Sequence, residues 1–235
     1  MPIPELPNLR NVILASLSAG DFGMLRGSLE RINMVSGGAL QGAVESAKYV
    51  YFVDSGVVSL LAPLEHGGRI EIAQVGREGV AGVHAALGAE TLTLEIMAQS
   101  DGVVFRAEAA VVRALMEQSG RLRQLLNGFA NALFAQVAQT AACNGAHDVV
   151  HRLARWLLLV HDRTDGETLN LTHEVISLML GVTRPGVTIA AGALQRAGLI
   201  QYSRGRLIIL DRDGLEAVAC ECYPIVAAYY RSELA

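Results

Sequence analysis

The stretch LTHEVISLMLGVTRPGVTIAAGALQRAG most constrains the fold, because it predicts two short helices joined by the turn GVT. Thr172 is suited to cap the first helix, and Glu174 places an anion where the helix dipole favours one. Gly181 supplies the positive φ that a tight turn needs. Thr183 is suited to cap the second helix, and Pro185 falls in its first turn, where a missing N–H costs little. This spacing predicts a helix-turn-helix.

The second of these helices carries unusually small side chains. Gly186 and Gly192 lie inside it, at a cost of roughly 1 kcal/mol each relative to alanine. Val187 and Ala190 predict an inner face, and the opposite face would then be bare enough to enter a major groove of DNA. A generic pair of antiparallel helices is the alternative. The residues of this block that we expect to contact DNA are Thr172, Thr183, Arg184, Pro185, Gly186, Thr188 and Ile189.

Two further features favour DNA binding over the generic helix pair. LIQYSRGRLIIL predicts two strands around a tight turn, which is a wing, and Arg204 and Arg206 lie at that turn, where we expect them to contact DNA. Between Val175 and Leu210 there are four arginines and no acid, although the whole chain has a net charge of −4. A local cationic face is what phosphate contact requires.

The N-terminal half predicts a small β-structure. From about Lys48 to Arg106, short β runs such as KYVYFV, VVSLLAPL and RIEIAQV are separated by glycine-rich turns, which is typical of a barrel or roll. The first thirty residues predict short helices with a common apolar face. The residues of that face are Leu14, Leu17, Phe22, Leu25 and Leu29.

A long helix is predicted to start near Glu108. Apolar residues recur there mostly at steps of three and four, and no charge occurs between Gln124 and His147. Such a helix must pack on more than one side, and we expect it to pair with its twofold mate rather than lie inside one chain's core. Its amides argue against a membrane span. The residues expected at the dimer interface are Leu122, Leu126, Phe129, Leu133, Val137 and Ala141.

The three cysteines, Cys143, Cys220 and Cys222, have no disulfide framework spacing, which fits a reducing cytoplasm. Cys220 and Cys222 would point to different faces of a helix. We interpret all three as small buried hydrophobes rather than redox or metal-binding residues. No secretory signal is recognised. The sequence therefore predicts a cytoplasmic protein that spans no membrane.

Roll, long helix and winged helix-turn-helix, in this order, resemble the Crp/Fnr superfamily of bacterial transcription regulators. The resemblance runs from about Val12 to Tyr223, and its strongest motifs are YFVDSGVVSLL, VGREGVAGV and LTHEVISLMLGVTRPGVT. It implies an α+β fold with a jelly-roll-like β-roll at 1–107, a dimerisation helix at 108–145 and a winged helix-turn-helix at 146–235. It also implies a homodimer on palindromic double-stranded DNA, and contact with RNA polymerase if the protein activates transcription.

The effector site departs from the pattern of cyclic-nucleotide relatives. Their phosphate-binding segment opens with Gly-Glu and contains Arg-Ser, whereas here Gly82 precedes Val83 and GAETLTLEI contains no arginine. A cyclic phosphate would lose its guanidinium, so no cAMP binding is expected. The effector pocket implied by the resemblance lies at Gly82, Val83 and His84. A roll that binds no ligand is also compatible with this sequence.

Cofactor-binding branches of the superfamily give further alternatives. No cysteine precedes Cys143, which excludes the usual iron–sulfur site. A haem-based gas or redox sensor is the main alternative, with His84 and Pro2 as the ligands that the resemblance implies. No cofactor is expected otherwise.

A cupin-like metalloenzyme is the alternative from another functional class. Such an enzyme needs two or three histidines and a carboxylate around one metal. His66 and His84 lack a nearby His-x-His pattern, and the histidines at 147, 151, 161 and 173 show no ligand spacing. We therefore expect no enzymatic activity.

The operator sequence is not transferable from the resemblance. Relatives that recognise TGTGA present Arg-Glu and a further arginine on the second helix. Arg184 matches the first arginine, whereas Pro185 and Ile189 cannot make the other bonds. Arg184 is expected to pair with a guanine, and Thr188 or Ile189 to contact a thymine methyl.

Overall fold

The computed structural model describes residue 3 and residues 5–43, 45–65, 68–91 and 93–234. A 3-10 turn, Leu6–Asn8, precedes the first helix. The helices within the described residues are α1 (Val12–Ala15), α2 (Ala19–Arg26), α3 (Val83–Ala86), α4 (Ala109–Gln118), α5 (Gly120–Ala146), α6 (Val149–His161), α7 (His173–Leu180), α8 (Arg184–Arg196), α9 (Arg212–Val218) and α10 (Cys222–Glu233). The strands there are β1 (Glu30–Met34), β2 (Ala39–Gln41), β3 (Tyr49–Ser55), β4 (Val58–Pro63), β5 (Arg69–Val75), β6 (Val80–Ala81), β7 (Glu95–Ala98), β8 (Gly102–Glu108), β9 (Thr168–Asn170), β10 (Ile200–Ser203) and β11 (Arg206–Ile209).

The N-terminal half is the predicted β-roll. Two four-stranded antiparallel sheets, in the orders β1-β8-β3-β6 and β2-β7-β4-β5, enclose an apolar core that contains Phe52 and Phe105. Strands β3, β4, β5, β7 and β8 coincide with the β runs of the sequence. β1 and β2 were not predicted, because their sequences are short, polar or rich in glycine. The predicted α+β architecture of roll, long helix and winged helix-turn-helix is confirmed.

Short N-terminal helices cover the roll, and their predicted apolar face is buried throughout. The side-chain amide of Asn11 holds α1 in place through both its oxygen and its nitrogen atom. Its Oδ1 accepts a hydrogen bond from the N–H of Leu14, which caps the helix. Its amide nitrogen donates to the carbonyl oxygens of Val53 and Gly79, each at 2.8 Å, and so ties the helix to the roll.

The long helix begins later than predicted. Ser119 has extended backbone angles, φ −104° and ψ 104°, and separates α4 from α5. Its hydroxyl accepts a hydrogen bond from the N–H of Leu122 and caps α5. A serine that caps a new helix is favoured over one that continues the old helix. The predicted domain boundaries fall beside the ends of β8 and α5, and they stay a prediction.

The C-terminal part contains α6 to α10 and a three-stranded sheet in the order β10-β11-β9. The polar segment DRTDGET predicts only a turn, but its last residue, Thr168, begins β9, which is an edge strand of the wing. Helix α10 returns along α5, and at Gly128 a Cβ atom would lie 2.5 Å from the carbonyl oxygen of Glu233. Glycine is therefore required at this crossing.

The winged part contacts the roll through β5 and the turn that follows it. The indole N–H of Trp156 donates to Glu71 Oε1 at 2.6 Å, and both side chains are buried. Arg163 pairs with Glu78, with Nε and Oε1 2.7 Å apart. Ile70 packs against Gly181, whose Cβ position lies 3.1 Å from Ile70 Cδ1. The turn between α7 and α8 thus rests on a strand of the roll.

The three cysteines are buried, as predicted. The expectation that Cys220 and Cys222 point to different faces of one helix is wrong, because α10 begins at Cys222 and Cys220 precedes it. The Sγ atoms of Cys143 and Cys220 lie 3.5 Å apart.

Among the described residues, no single helix is long and apolar enough to cross a membrane. Helices α7 and α8 meet that criterion only when taken together, and they are inclined to each other by 105°.

Candidate nucleic-acid interface

The predicted helix-turn-helix is present, with its caps where the sequence indicated them. Thr172 Oγ1 accepts from the N–H of Val175 at 3.2 Å, and Thr183 Oγ1 accepts from the N–H of Gly186 at 3.4 Å. Gly181 adopts the left-handed conformation, with φ 62° and ψ 38°. The angle of 105° between α7 and α8 lies within the range of this motif.

Helix α8 has one face in the core and one in solvent. Its buried residues are Val187, Ala190, Ala191 and Leu194. Its solvent-exposed face includes Arg184, Pro185 and Thr188, together with Ile189, which is 70% exposed. The predicted inner face is confirmed for Val187 and Ala190, and the opposite face is exposed as predicted. Ala197, which the same spacing predicts on the inner face, is instead exposed at the end of the helix.

The two glycines of α8 are not required by packing within the chain. A Cβ atom at Gly186 would meet only Thr183 Oγ1, at 3.5 Å, and one at Gly192 would meet only Arg196 Nη1, at 3.3 Å. Each glycine nevertheless weakens the helix by roughly 1 kcal/mol. The bare surface thus has no explanation inside the chain and suits close approach of a partner.

Arginines surround this bare face. Arg184 opens α8, and Arg204 and Arg206 lie at the wing turn, where Arg204 has φ 50° and Gly205 has φ 79°. All three arginines and Arg196 are exposed. Within the part of the chain that the structure describes, none of the four is ion-paired with a carboxylate. Their charges are available to phosphate groups.

A chain of side-chain contacts joins α8 to the wing. The hydroxyl of Thr188 lies 3.0 Å from His173 Nδ1 and donates to the carbonyl oxygen of Arg184 at 3.1 Å. His173 in turn stacks on Tyr202 of β10, with ring centroids 4.4 Å apart. Burial, and then the charge of Arg184, lower the pKa of His173. These contacts were not predicted, because their members are distant in the sequence.

Helix α6 contacts the helix-turn-helix at the end of α7. The guanidinium of Arg152 donates to the carbonyl oxygen of Leu180, the last residue of α7. This carbonyl would otherwise be one of the unpaired groups at a helix end. Thr172, at the other end of α7, lies beside the wing turn, because the Cβ position of Gly205 is 3.4 Å from Thr172 Cγ2.

The residues expected in an effector pocket lie at the start of α3. Gly82 has φ 82°, and its Cβ position is only 2.8 Å from the carbonyl oxygen of Tyr49, so the chain requires glycine there. Val83 is buried. His84 Nε2 is enclosed by the chain without a hydrogen-bond partner among the described residues, and burial lowers the pKa of its ring. Pro2 and His66 lie outside the described residues.

A cavity of about 300 Å³ opens on the neighbouring face of β3, and the three residues at the start of α3 do not line it. Its lining residues are Leu40, Gln41, Glu45, Ser46, Lys48, Tyr49, Tyr51 and Arg106. Arg106 is held there by Glu30, with Nη2 and Oε2 2.5 Å apart, and its guanidinium lies 4.5 Å from the ring centre of Tyr49. This guanidinium comes from β8 and not from the segment in which an arginine was sought.

The residues expected at a dimer interface differ in how exposed they are in the single chain. Leu122, Leu126 and Phe129 are buried in their own chain, where the ring of Phe129 fills the space beside Gly79. Leu133 is also covered, Val137 is half-buried, and Ala141 is exposed. The first four cannot face a partner without unpacking the roll, so that part of the expectation requires correction.

A different stripe of α5 is exposed. Its residues are spaced alternately by four and three positions, which is one face of a helix that pairs with another. The most prominent is Phe134, which is 74% exposed. The residues of this α5 stripe are Asn127, Asn131, Phe134, Ala138, Ala141 and Gly145.

Comparisons with known families match both halves of the chain. A family profile described as the Crp-like helix-turn-helix domain matches residues 151–218, and the cyclic nucleotide-binding domain profile matches residues 37–119. No curated protein matches the chain by sequence.

Solved structures share the fold over most of their length. FixK2 from Bradyrhizobium japonicum has a TM-score of 0.71 at 19% identity, covering 82% of this chain and 98% of that one. The c-di-GMP-responsive global regulator CLP of Xanthomonas campestris has a TM-score of 0.69 at 14% identity, covering 82% and 99%. A CRP/FNR-family transcriptional regulator from Thermus thermophilus has a TM-score of 0.65 at 24% identity, covering 81% and 98%.

Proposed function

The chain belongs to the Crp/Fnr superfamily of transcription regulators, and from this premise we propose that it binds a specific operator as a homodimer. In this proposal α8 lies in the major groove of double-stranded DNA and the wing contacts the adjacent backbone. Arg184 reads a guanine, while Thr188 and Ile189 supply apolar contact with a thymine methyl.

The observation that carries the proposal is the bare, acid-free outer face of α8. Two glycines weaken this helix without serving any contact inside the chain, and unpaired arginines surround its exposed side. A helix that only filled space in a core would gain stability from alanine at both positions. A helix that must enter a groove about 12 Å wide gains access from glycine.

Selection from random double-stranded DNA with the full-length protein tests this function. We expect enrichment of a palindromic sequence whose half-sites lie about one helical turn apart, because two recognition helices related by a dyad contact the same side of DNA. Binding of the enriched duplex should then be compared with a shuffled duplex over a salt series. Arg31→Ala, which removes an arginine of the roll, is the charge-matched control for variants of the arginines around α8 and the wing. Failure to enrich any sequence, with equal affinity for both duplexes, contradicts specific recognition.

The dimer in this proposal is held by the α5 stripe, where Phe134 provides the main apolar contact. Because the stripe lies on the helix that connects the roll to the DNA-binding part, a pair of α5 helices would set the spacing of the two recognition helices. The proposed interface thus replaces the buried leucines of the sequence-based expectation with exposed residues of the same helix.

We also propose that cAMP is not the effector. Val83 provides no carboxylate for a ribose, and the segment after it contributes no guanidinium. Calorimetry with cAMP and cGMP tests this, and micromolar affinity for either nucleotide contradicts it.

The haem alternative fits the residues poorly in this conformation. The Nε2 atom of His84 is covered by the chain itself, which leaves no open coordination position beside it. An absorption spectrum of the purified protein decides, since bound haem gives an intense Soret band that His84→Ala should remove.

The remaining expectations complete the proposal. The protein acts without catalysis, in the cytoplasm where it has access to DNA. If it activates transcription, its direct partner at the promoter is RNA polymerase.

A further inference from the structure

A cluster of four potential metal ligands lies where α5 meets α10, away from the DNA-binding face. Cys143 and His147 are separated by one turn at the end of α5, so their side chains share a face of the helix. Cys222 is the first residue of α10, and Cys220 lies just before that helix. One ligand atom from each of the four residues lies within 4.8 Å of all the others.

The distances within the cluster suit a single tetrahedral ion. The Sγ atoms of Cys143 and Cys220 are 3.5 Å apart, and Cys222 Sγ is 3.7 Å from His147 Nδ1. With Zn–S near 2.3 Å and Zn–N near 2.0–2.1 Å, the ligand atoms of a tetrahedral zinc site lie roughly 3.5–3.8 Å apart. We propose that Cys143, His147, Cys220 and Cys222 form a binding site for one zinc-like divalent cation.

The surroundings of His147 are those of a metal-binding imidazole. Its Nδ1 faces the sulfur atoms, and its Nε2 lies 3.2 Å from Glu221 Oε2. A carboxylate on the second ring nitrogen fixes the orientation of a ligating histidine and raises its basicity. Gln139 Nε2 also donates to Cys222 Sγ at 3.1 Å, as expected around a thiolate. If the cysteines only filled space as small hydrophobic side chains, the contacts with Glu221 and Gln139 would not be needed.

Two buried cations provide an independent observation. Arg152 and Arg155 of α6 are buried, and Arg155 Nη1 lies 3.4 Å from the hydroxyl of Thr140, one turn before Cys143 on α5. Within the described residues neither forms an ion pair with a carboxylate, and the Nε atom of each is unpartnered. A buried cation is costly without a counter-charge. Three thiolates around a divalent cation carry a net charge of −1 and provide one.

Two other uses of the thiols fit this geometry less well. In a 4Fe–4S cluster each protein ligand binds a different iron atom, and in a 2Fe–2S cluster the four ligands are divided between two irons. Either cluster spreads its ligands beyond the compact arrangement seen here, where all four ligand atoms lie within 4.8 Å of one another. A disulfide between Cys143 and Cys220 would leave the contacts of Cys222, His147 and Glu221 without a function.

The location of the site suggests what the ion controls. His147 is the C-cap of α5, and Asp148 is the N-cap of α6, so the site spans the joint between the long helix and the helix-turn-helix part. A bound ion would fasten this joint to α10. We therefore expect metal loading to hold the DNA-binding part in a fixed orientation relative to α5.

The test begins with the full-length protein purified under reducing conditions. Metal analysis after incubation with zinc and removal of the excess should give one ion per chain. Titration with Co²⁺ should give the visible absorption of tetrahedral cobalt with thiolate ligands. Competition with a chromophoric chelator then compares variants. His147→Ala and Cys222→Ser should lower zinc affinity by more than about 100-fold, and Glu221→Gln by roughly 10- to 100-fold.

His151→Ala is the matched control, because His151 is exposed, lies one turn further along the chain, and its Nδ1 is 2.9 Å from Asp148 Oδ1 rather than in the cluster. Its zinc affinity should equal that of the wild type. Circular dichroism of each variant establishes that it is folded. If a cysteine variant does not fold, the zinc affinity of Glu221→Gln still tests the proposal. These binding measurements use no DNA, so they stand apart from the test of the proposed function.

Three kinds of result overturn the proposal. One is a folded, fully reduced wild-type protein that retains no stoichiometric zinc. Another is cobalt absorption typical of octahedral coordination, or zinc affinity that His147→Ala and Glu221→Gln leave unchanged. The third is iron accompanied by acid-labile sulfide, which would assign the same residues to a cluster instead of a single ion.

Discussion

At the scale of single residues, Arg184 and the wing arginines have the same charge but different positions. Arg184 is the first residue of α8, whereas Arg204 lies at a turn tip between two strands. The start of a recognition helix faces base edges, and a turn tip faces the DNA backbone. Substitution of each arginine should therefore change binding in a different way.

Arg184→Ala should lose roughly 1–3 kcal/mol of binding free energy on the selected operator and much less on shuffled DNA. A guanidinium that pairs with both acceptors of a guanine carries sequence information, so preference at one base pair per half-site should relax. Fluorescence anisotropy with both duplexes measures the two losses. Equal losses on both would identify Arg184 as a phosphate contact, with base recognition left to Thr188 and Ile189.

Arg204→Ala and Arg206→Ala should each weaken binding to operator and shuffled DNA alike. Each variant should also reduce the slope of log affinity against log salt by about one, since one phosphate contact is lost. A salt titration of each variant beside Arg31→Ala measures the slope. Loss of sequence preference without a change of slope would contradict a backbone contact.

The sequence identified many of these residues because their reasons are local. Thr172, Gly181 and Thr183 take their roles from neighbours no more than a few positions away, and the structure confirms each of them. The chain of contacts among Thr188, His173 and Tyr202 depends on the packing of three elements, and no local pattern announces it.

At the scale of elements, the spacing of apolar residues on α5 predicted a helix but not which face is free. Leucines dominate the face that packs on the roll, so they suggested an interface, while the exposed α5 stripe contains only one large apolar residue. Residues on both faces of α5 recur with the same helical spacing, so the spacing alone does not show which face is exposed. Only the position of the roll and α10 distinguishes them, and that position depends on contacts distant in the sequence.

If the proposed dimer forms through the α5 stripe, Phe134→Glu should convert it to a monomer while leaving each chain folded. Phe134 is 74% exposed in the single chain, so a carboxylate there harms the fold little, yet across a twofold axis two carboxylates would be desolvated together. Analytical ultracentrifugation measures the association, and a thermal melt monitors the fold. Leu126→Glu should instead unfold the chain, because Leu126 is fully buried.

Val35→Glu is the control for this substitution. Val35 is 70% exposed and lies on the roll directly after β1. Its substitution by glutamate therefore replaces an exposed apolar residue with a carboxylate, as Phe134→Glu does, but away from the α5 stripe. It should remain dimeric. A Phe134→Glu protein that sediments as the wild type does would place the interface elsewhere than the α5 stripe.

At the scale of the whole molecule, the two family-matched regions were recognisable but the contacts between them were not. Strands with polar–apolar alternation and capped helices appear in the sequence, so the roll and the winged motif could be predicted. Glu71 and Trp156, or Cys143 and Cys220, become neighbours only when α6 and α10 pack against the roll and α5. The metal cluster was missed for this reason, since its four residues come from two separate segments.

The carboxyl group of Glu71 links the roll to α6 and should make stability depend on pH. It accepts hydrogen bonds from Ser59 at 2.5 Å, Gln74 at 3.1 Å and Trp156 at 2.6 Å. Burial outweighs these donors and raises the pKa of Glu71 from 4.5 to about 7. Between these two values the folded chain holds a proton that the unfolded chain has released.

The free energy of unfolding should therefore fall as pH rises from about 4.5 to about 7, by at most roughly 1.4 kcal/mol per pH unit from this group, and the contribution should then level off. Urea denaturation at several pH values across this window measures it. Glu71→Gln keeps the shape and the hydrogen-bonding capacity of the side chain but cannot ionise, so the difference between wild type and variant isolates Glu71 from the histidines that titrate nearby in pH. The variant should gain relative stability as the pH rises. Parallel stability profiles for the two proteins would mean that Glu71 is ionised in the folded state, held by the donors around it rather than neutralised by burial.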